Sequence, residues 1–232
     1  MMLNNTPFSI LPALQLADSF FPSGLYTQSH GLEQFIAAGA SGAAQLEPII
    51  HDYLRHAAGP ADALAARWAV RAAVACDLDL VAAIDARLEA GKLSVEGRNA
   101  SKRCGGRVLL LGRDLFESEL LREYAARVEM GQAHGHQSVV LALLGAAAGL
   151  DETTVVLVEL HTFAVSLIST AVRLAALDHA TGQKLLAKAQ PVIAEAAEAH
   201  QGLDWRDIGG FAPRIDVMQF RHRYADMHMF VS

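Results

Sequence analysis

Residues 153–177 carry the longest helical periodicity in the chain, and that helix is apolar on most of its faces. Leu160, Phe163, Leu167, Ala171 and Leu174 form one stripe, and Val158, Val165, Ile168, Val172 and Ala175 form a second. A helix with so wide an apolar surface belongs in the middle of a bundle, where neighbours cover it from several sides. Its polar residues fall on one narrow line at spacings of three and four: Glu159, Thr162, Ser166, Ser169 or Thr170, and Arg173. Two readings of that line are open. It is a thin solvent-facing stripe, or it is a protein interface or water-filled passage that ends at Arg173.

The rest of the chain suits a bundle built around such a helix. Strand signals are nearly absent, with no sustained alternation and no Asn-Gly or Asp-Gly hairpin turn. Helix punctuation recurs instead. Gly59-Pro60 reads as a helix end followed by a helix start. Asp114 and Glu117 have capping-box spacing, and Gly149-Leu150-Asp151 ends one helix and caps the next. These signals predict about nine or ten helices, over residues 9–19, 26–38, 45–57, 60–75, 77–90, 94–111, 114–130, 135–148, 153–177 and 181–199. The expected architecture is all-α: a single-domain helical bundle over 1–202, followed by a C-terminal partner-binding tail over 203–232. The tail contains Gly209-Gly210 and Pro213, a possible short helix from Asp216, and an apolar ending of Met227, Met229, Phe230 and Val231.

Composition narrows the setting. Of 232 residues 52% are apolar, above the roughly 45–50% of an average soluble domain, so a large core can form. Cys76 and Cys104 are far apart, which fits a reducing compartment rather than a disulfide framework. No Lys or Arg precedes Arg55, so a basic secretory n-region is missing. The closest approach to a membrane span is taken to be 138–150, short of the ~18–20 residues required. A cytoplasmic protein without a membrane segment is expected. A net charge of −6 gives no reason to expect nucleic acid. Arg98, Lys102, Arg103 and Arg107 do cluster at helical spacing, but such a cluster is usually a solvated face, and the region has no stacking aromatics.

Local catalytic signatures are absent. Gly91-Lys92-Leu93-Ser94 lacks the upstream glycine of a phosphate loop and a hydroxyl residue directly after the lysine. There is no Gly-x-Ser-x-Gly elbow. His51 and His56 are five apart and do not stack on one helix face as zinc ligands do. The metal candidates are His134 and His136, weighed against a reading as two cap or loop histidines, which the frequency of false short matches favours. Met227-His228-Met229 has softer ligand chemistry, yet apolar anchoring explains its methionines equally well. No catalytic residue and no resident cofactor are expected.

The run Leu14-Gln15-Leu16-Ala17-Asp18-Ser19, followed by Pro22-x-Gly24-x-Tyr26-Thr27-x-Ser29-x-Gly31-Leu32-Glu33, resembles the N-terminal signature of the UreF family of urease accessory proteins. Pro22 and Gly24 would break the first helix, with Leu32, Phe35 and Ile36 facing the core and Tyr26, Ser29 and Glu33 sharing another face. Arg173 followed by Gly182-Gln183 resembles a later family motif, and 130–150 resembles its Gly-rich helix. Asp216, His222, Phe230 and Ser232 fall at the spacing of its closing segment. That ending departs from the family pattern at Arg223, His228 and Met229.

The resemblance implies an all-α homodimer that binds an accessory protein, UreD or UreH, recruits the GTPase UreG and acts on apo-urease as its nickel centre is built. Nickel would be in transit at most. By position it makes Glu33 and Arg173 the residues that contact or regulate the GTPase, supported by Tyr26, Ser29 and Gln183. His222, Phe230 and Ser232 fall in the tail that engages UreD/UreH. The alternatives from other classes are a helical enzyme with a dispersed site and a helical nucleic-acid regulator using the Arg98–Arg107 face.

Overall fold

The structure is a computed structural model and describes residues 10–25 and 28–222. Among them there are helices and connecting loops, and no strand. The α-helices are α1 (Ile10–Ala17), α2 (Leu32–Ala37), α3 (Gly42–Asp52), α4 (Leu64–Val74), α5 (Leu78–Gly91), α6 (Val95–Leu115), α7 (Glu119–Glu129), α8 (Gln137–Ala147), α9 (Glu152–Arg173), α10 (His179–Ala199) and α11 (Pro213–His222). A π-helical segment, Tyr53–Ala63, joins α3 to α4, and a single 3-10 turn, Trp205–Asp207, precedes α11.

The apolar α9 occupies the middle of the bundle, as its wide hydrophobic surface requires, and packs on α1, α2, α4, α8, α10 and the π segment. Its first residues, Val155 and Val158, belong to one hydrophobic core with α4, α5 and α8. Val156, Leu160, Ala164, Leu167 and Ala171 belong to a second core with α3, the π segment and α10. By length and composition α9, not 138–150, is the described helix that could cross a membrane, but 61% of its most apolar window is buried inside the bundle. Side-chain caps set the helix starts. Asp77, Ser94, Ser118, Asp151 and Asp178 each accept a hydrogen bond from the backbone two or three residues into the helix that follows.

Three of the boundaries that differ from those predicted have a clear physical cause. Gly59-Pro60 is no break: the chain is helical without interruption from Gly42 to Val74. In an α-helix the Pro60 ring would collide with the carbonyl of His56, four residues back. The wider π turn separates them, and the His56 carbonyl accepts from Phe211 N at 3.1 Å instead. The second difference is that α6 runs on through Asp114 to Leu115, and Ser118 is the cap of α7, accepting from Leu121 N. The third is that α2 starts at Leu32 rather than near Tyr26, because His30 (φ 52°) and Gly31 (φ 84°) are left-handed and cannot continue a helix.

Beyond Leu203 the described chain returns to the body. Ile208 is fully buried in the first core and Ile215 almost fully in the second. α11 lies against α2, with Arg214 stacked 5.2 Å above the Phe35 ring.

Candidate functional site

The polar line of α9 is not a solvent stripe. Glu159, Ser166 and Thr170 are buried, while Thr162, Ser169 and Arg173 are half-buried. The hydroxyls tie the segment ahead of α2 to the bundle's centre: Ser166 Oγ donates to Leu25 O at 3.1 Å and Thr170 Oγ1 to Gln28 O at 3.1 Å. That grip places the His30 ring against Phe163 and sets its Nε2 3.3 Å from Ser166 Oγ. The buried Tyr53 hydroxyl donates to His30 O at 2.6 Å.

Glu159, at the other end of the line, borders a partly open cavity of about 100 Å3 whose polar wall includes His30, Tyr53, Asp62, Lys92, Gln137 and Glu159. The Lys92 ammonium pairs with Asp62 at 2.8 Å, and Ser138 Oγ donates to the same carboxylate at 3.2 Å. Glu159 accepts from Gln137 Nε2 at 3.2 Å. Burial, reinforced by the nearby Asp62 charge, raises its carboxyl to about 8, so it carries a proton at neutral pH. Burial and the Lys92 charge push the His30 imidazole down to about 4, which keeps it neutral.

A second polar knot flanks the cavity. Asp85, fully buried on α5, accepts from Tyr124 Oη and from the backbone amides of His134, Gly135 and His136 at 2.6–3.1 Å. That carboxylate therefore shapes the loop entering α8. One turn on, Glu89 receives His136 Nε2 at 2.8 Å and Lys102 at 3.1 Å, and it pairs with Arg98 at 3.4 Å. Burial alone would raise the Glu89 carboxyl, but the Lys102 and His136 contacts outweigh it and hold it below its ordinary value. Burial and the Lys92 charge lower His136 to about 4. Its Glu89 contact is therefore a hydrogen bond from a neutral ring, while Ser101 Oγ, 3.1 Å from Nδ1, completes the ring's partners.

The predicted metal candidates are thus separated in role. His136 is a committed interior side chain, while His134 contributes its backbone to Asp85. Among the described residues no group of three or more His, Cys, Asp or Glu side chains is placed to hold a metal. The basic cluster is divided too: Arg98 and Lys102 serve Glu89 rather than forming part of one solvated face.

Arg173 and Gln183 are brought together. They line a surface depression of about 280 Å3 with Ser169, Val172 and His179. Gly182 eases the close start of α10 on α9, because a Cβ there would stand 3.1 Å from an Ile168 methyl group and 3.3 Å from one of Val172 and would press both aside. Ser29 and Glu33 are buried beside the same helix and do not share a helical face, since Ser29 precedes α2 and its Oγ accepts from Gly31 N at 3.2 Å. His222 closes α11. Tyr26, Phe230 and Ser232 lie outside the described residues.

Asp62, Asp85, Glu89, Lys92 and Gln137 escaped the sequence reading. One signal was available: Asp85 sits between Val81, Ile84 and Leu88 on the core-facing side of α5, where an isolated carboxylate needs a buried partner.

Fold and site together define an all-helical bundle protein with a polar, hydrogen-bonded interior and a shallow Arg173–Gln183 depression on its surface. The sequence matches the UreF family over residues 40–190. It is 32% identical to a protein of Lachnoclostridium phytofermentans, covering 96% of this chain and 98% of that one. It is 33% identical to one of an Arthrobacter species, covering 94% and 95%, and 29% identical to one of a Bacillus species, covering 96% and 99%. Each of these is named urease accessory protein UreF. The chain belongs to the UreF family of urease accessory proteins.

Proposed function

We propose that this chain is a non-enzymatic, cytoplasmic scaffold for urease maturation. Together with a UreD/UreH-type accessory protein and the GTPase UreG it assists nickel insertion into apo-urease, acting as a homodimer and holding nickel at most in transit. The observation that carries this reading is end-to-end similarity to proteins named for the urease accessory role, over 94–96% of the chain. A scaffold of this kind influences a GTPase by binding one of its states better than another, and the equilibrium moves by that differential affinity.

Arg173 and Gln183 are the surface residues through which the GTPase is engaged, since they share one depression and are at least partly accessible. Ser29 and Glu33 act indirectly, by fixing the segment that α9 grips from inside. His222, Phe230 and Ser232 belong to the surface offered to UreD/UreH. Replacing Arg173 by alanine removes one long cationic side chain and creates no core cavity. Arg173→Ala is expected to lower urease activation in a reconstituted assay by about tenfold, the equivalent of ~1.4 kcal/mol of binding, with unchanged helicity by circular dichroism. Full activation by the folded variant would remove Arg173 from the GTPase surface.

A further inference from the structure

Two segments that reach the surface, 91–94 and 210–219, contribute to the wall of the partly open cavity beside Glu159. Large apolar side chains stand exposed along both. Leu93, itself a wall residue, is 57% exposed. Phe211, between the wall residues Gly210 and Ala212, is 83% exposed, and Phe220, next to the wall residue Gln219, is 47% exposed. A single exposed apolar residue needs no explanation, but several gathered around one polar opening mark a surface that another protein covers.

The wall also carries a charge that the chain does not answer. Asp62 is paired with Lys92, and Glu159 holds its proton. Asp216, half-buried on α11, differs from both: its side chain makes no hydrogen bond or ion pair with the described residues. Burial raises its carboxyl above the ordinary value. The cations nearby in sequence or across the wall are committed elsewhere. Lys92 serves Asp62, Arg98 serves Glu89, and Arg214, two residues before Asp216, stacks on Phe35.

We propose that the opening is a docking site for a protein partner that covers Leu93, Phe211 and Phe220 with apolar residues of its own and places a lysine or arginine beside the Asp216 carboxylate. On the scaffold reading above, on which this docking site rests, the partner is the UreD/UreH-type accessory protein, because His222, part of the surface offered to it, closes the same helix. The apolar rim supplies area and excludes water. The cation supplies selectivity, since a neutral or acidic side chain seated there would leave Asp216 desolvated and unpaired.

Isothermal titration of the full-length chain with purified UreD/UreH tests the docking site. Asp216→Asn, which keeps the side chain's size, should weaken binding by about tenfold, the change expected when one charged hydrogen bond is lost. Asp216→Lys should weaken it further, and the rim variants Leu93→Ser and Phe211→Ser should each weaken it as well. Glu123→Gln, on the outside of α7, should bind as the unaltered chain does. Circular dichroism checks that each variant folds; should Asp216→Lys not fold, Asp216→Asn decides for the charge. Undiminished binding by the folded Asp216 variants, or by both rim variants, overturns the docking site and leaves the scaffold reading standing. No binding by the unaltered chain overturns both.

Discussion

Glu159 is the most consequential single side chain in the interior. An ordinary glutamate releases its proton near pH 4.3, whereas this one, fully buried beside Asp62, holds it to about pH 8. Between those values the folded chain binds more protons than the unfolded chain, so this group's contribution to stability declines as pH rises through that window. His30 and His136 act with the opposite sign. Both are lowered to about 4, so the unfolded chain takes up protons that the folded one refuses below about pH 6.5, and stability falls as the solution is acidified. The windows overlap: below about pH 6.5 the two imidazoles outweigh the one carboxyl, and above it only the carboxyl acts, so these three groups together favour stability near pH 6.5. Glu159→Gln keeps an acceptor for Gln137 and abolishes the ionisation. Its thermal midpoint should match that of the unaltered chain near pH 4 and exceed it at pH 8, a gain on the order of several kcal/mol at ~1.4 kcal/mol per pH unit across the window. Scanning calorimetry at the two pH values checks this, and a gain equal at both would mean that Glu159 does not titrate as described.

At the scale of elements, α6 and α8 meet through glycine. A Cβ at Gly105 would run into the Gly135 carbonyl, and one at Gly112 would stand 2.6 Å from Leu144. Gly106 faces open space. Gly105→Ala is therefore expected to destabilise by about 1–3 kcal/mol through overpacking. Gly106→Ala should be neutral or stabilising by about 0.5–1 kcal/mol, the usual helix preference of alanine over glycine. Urea unfolding of the two variants distinguishes them, and equal midpoints would contradict the close crossing.

The same helices show what a sequence can disclose. The central position of α9 was legible, because two apolar stripes on one helix leave no other place for it. The cap at Asp151 was legible because capping is a local interaction, whereas the spacing of Asp114 and Glu117 imitated a cap inside a helix that runs on to Leu115. Gly59-Pro60 was misread since its outcome depends on residues about 150 positions later, which take up the carbonyls freed by the π turn. The late start of α2 turns on left-handed backbone at His30, which nothing in the local sequence demands. The polar interior was hidden for a related reason: Asp62, Glu89 and Lys92 look like surface residues until the packing of α5, α8 and the π segment closes over them.

For the whole molecule, the buried polar groups are committed largely to one another. Glu159 bonds Gln137, Asp62 pairs with Lys92, and Glu89 holds His136 and Lys102. A partner would therefore engage the outside of the bundle, where Arg173 and Gln183 share a depression. We propose that the chain works through such surfaces, within the urease-maturation assembly. It is tested most directly by passing the purified full-length chain, at micromolar concentration, over size-exclusion chromatography with purified UreD/UreH, UreG and apo-urease. Co-elution of the chain with these components in one assembly, lost when the chain is omitted, is the predicted result. Separate elution of every component, with the chain folded by circular dichroism, would contradict the claim.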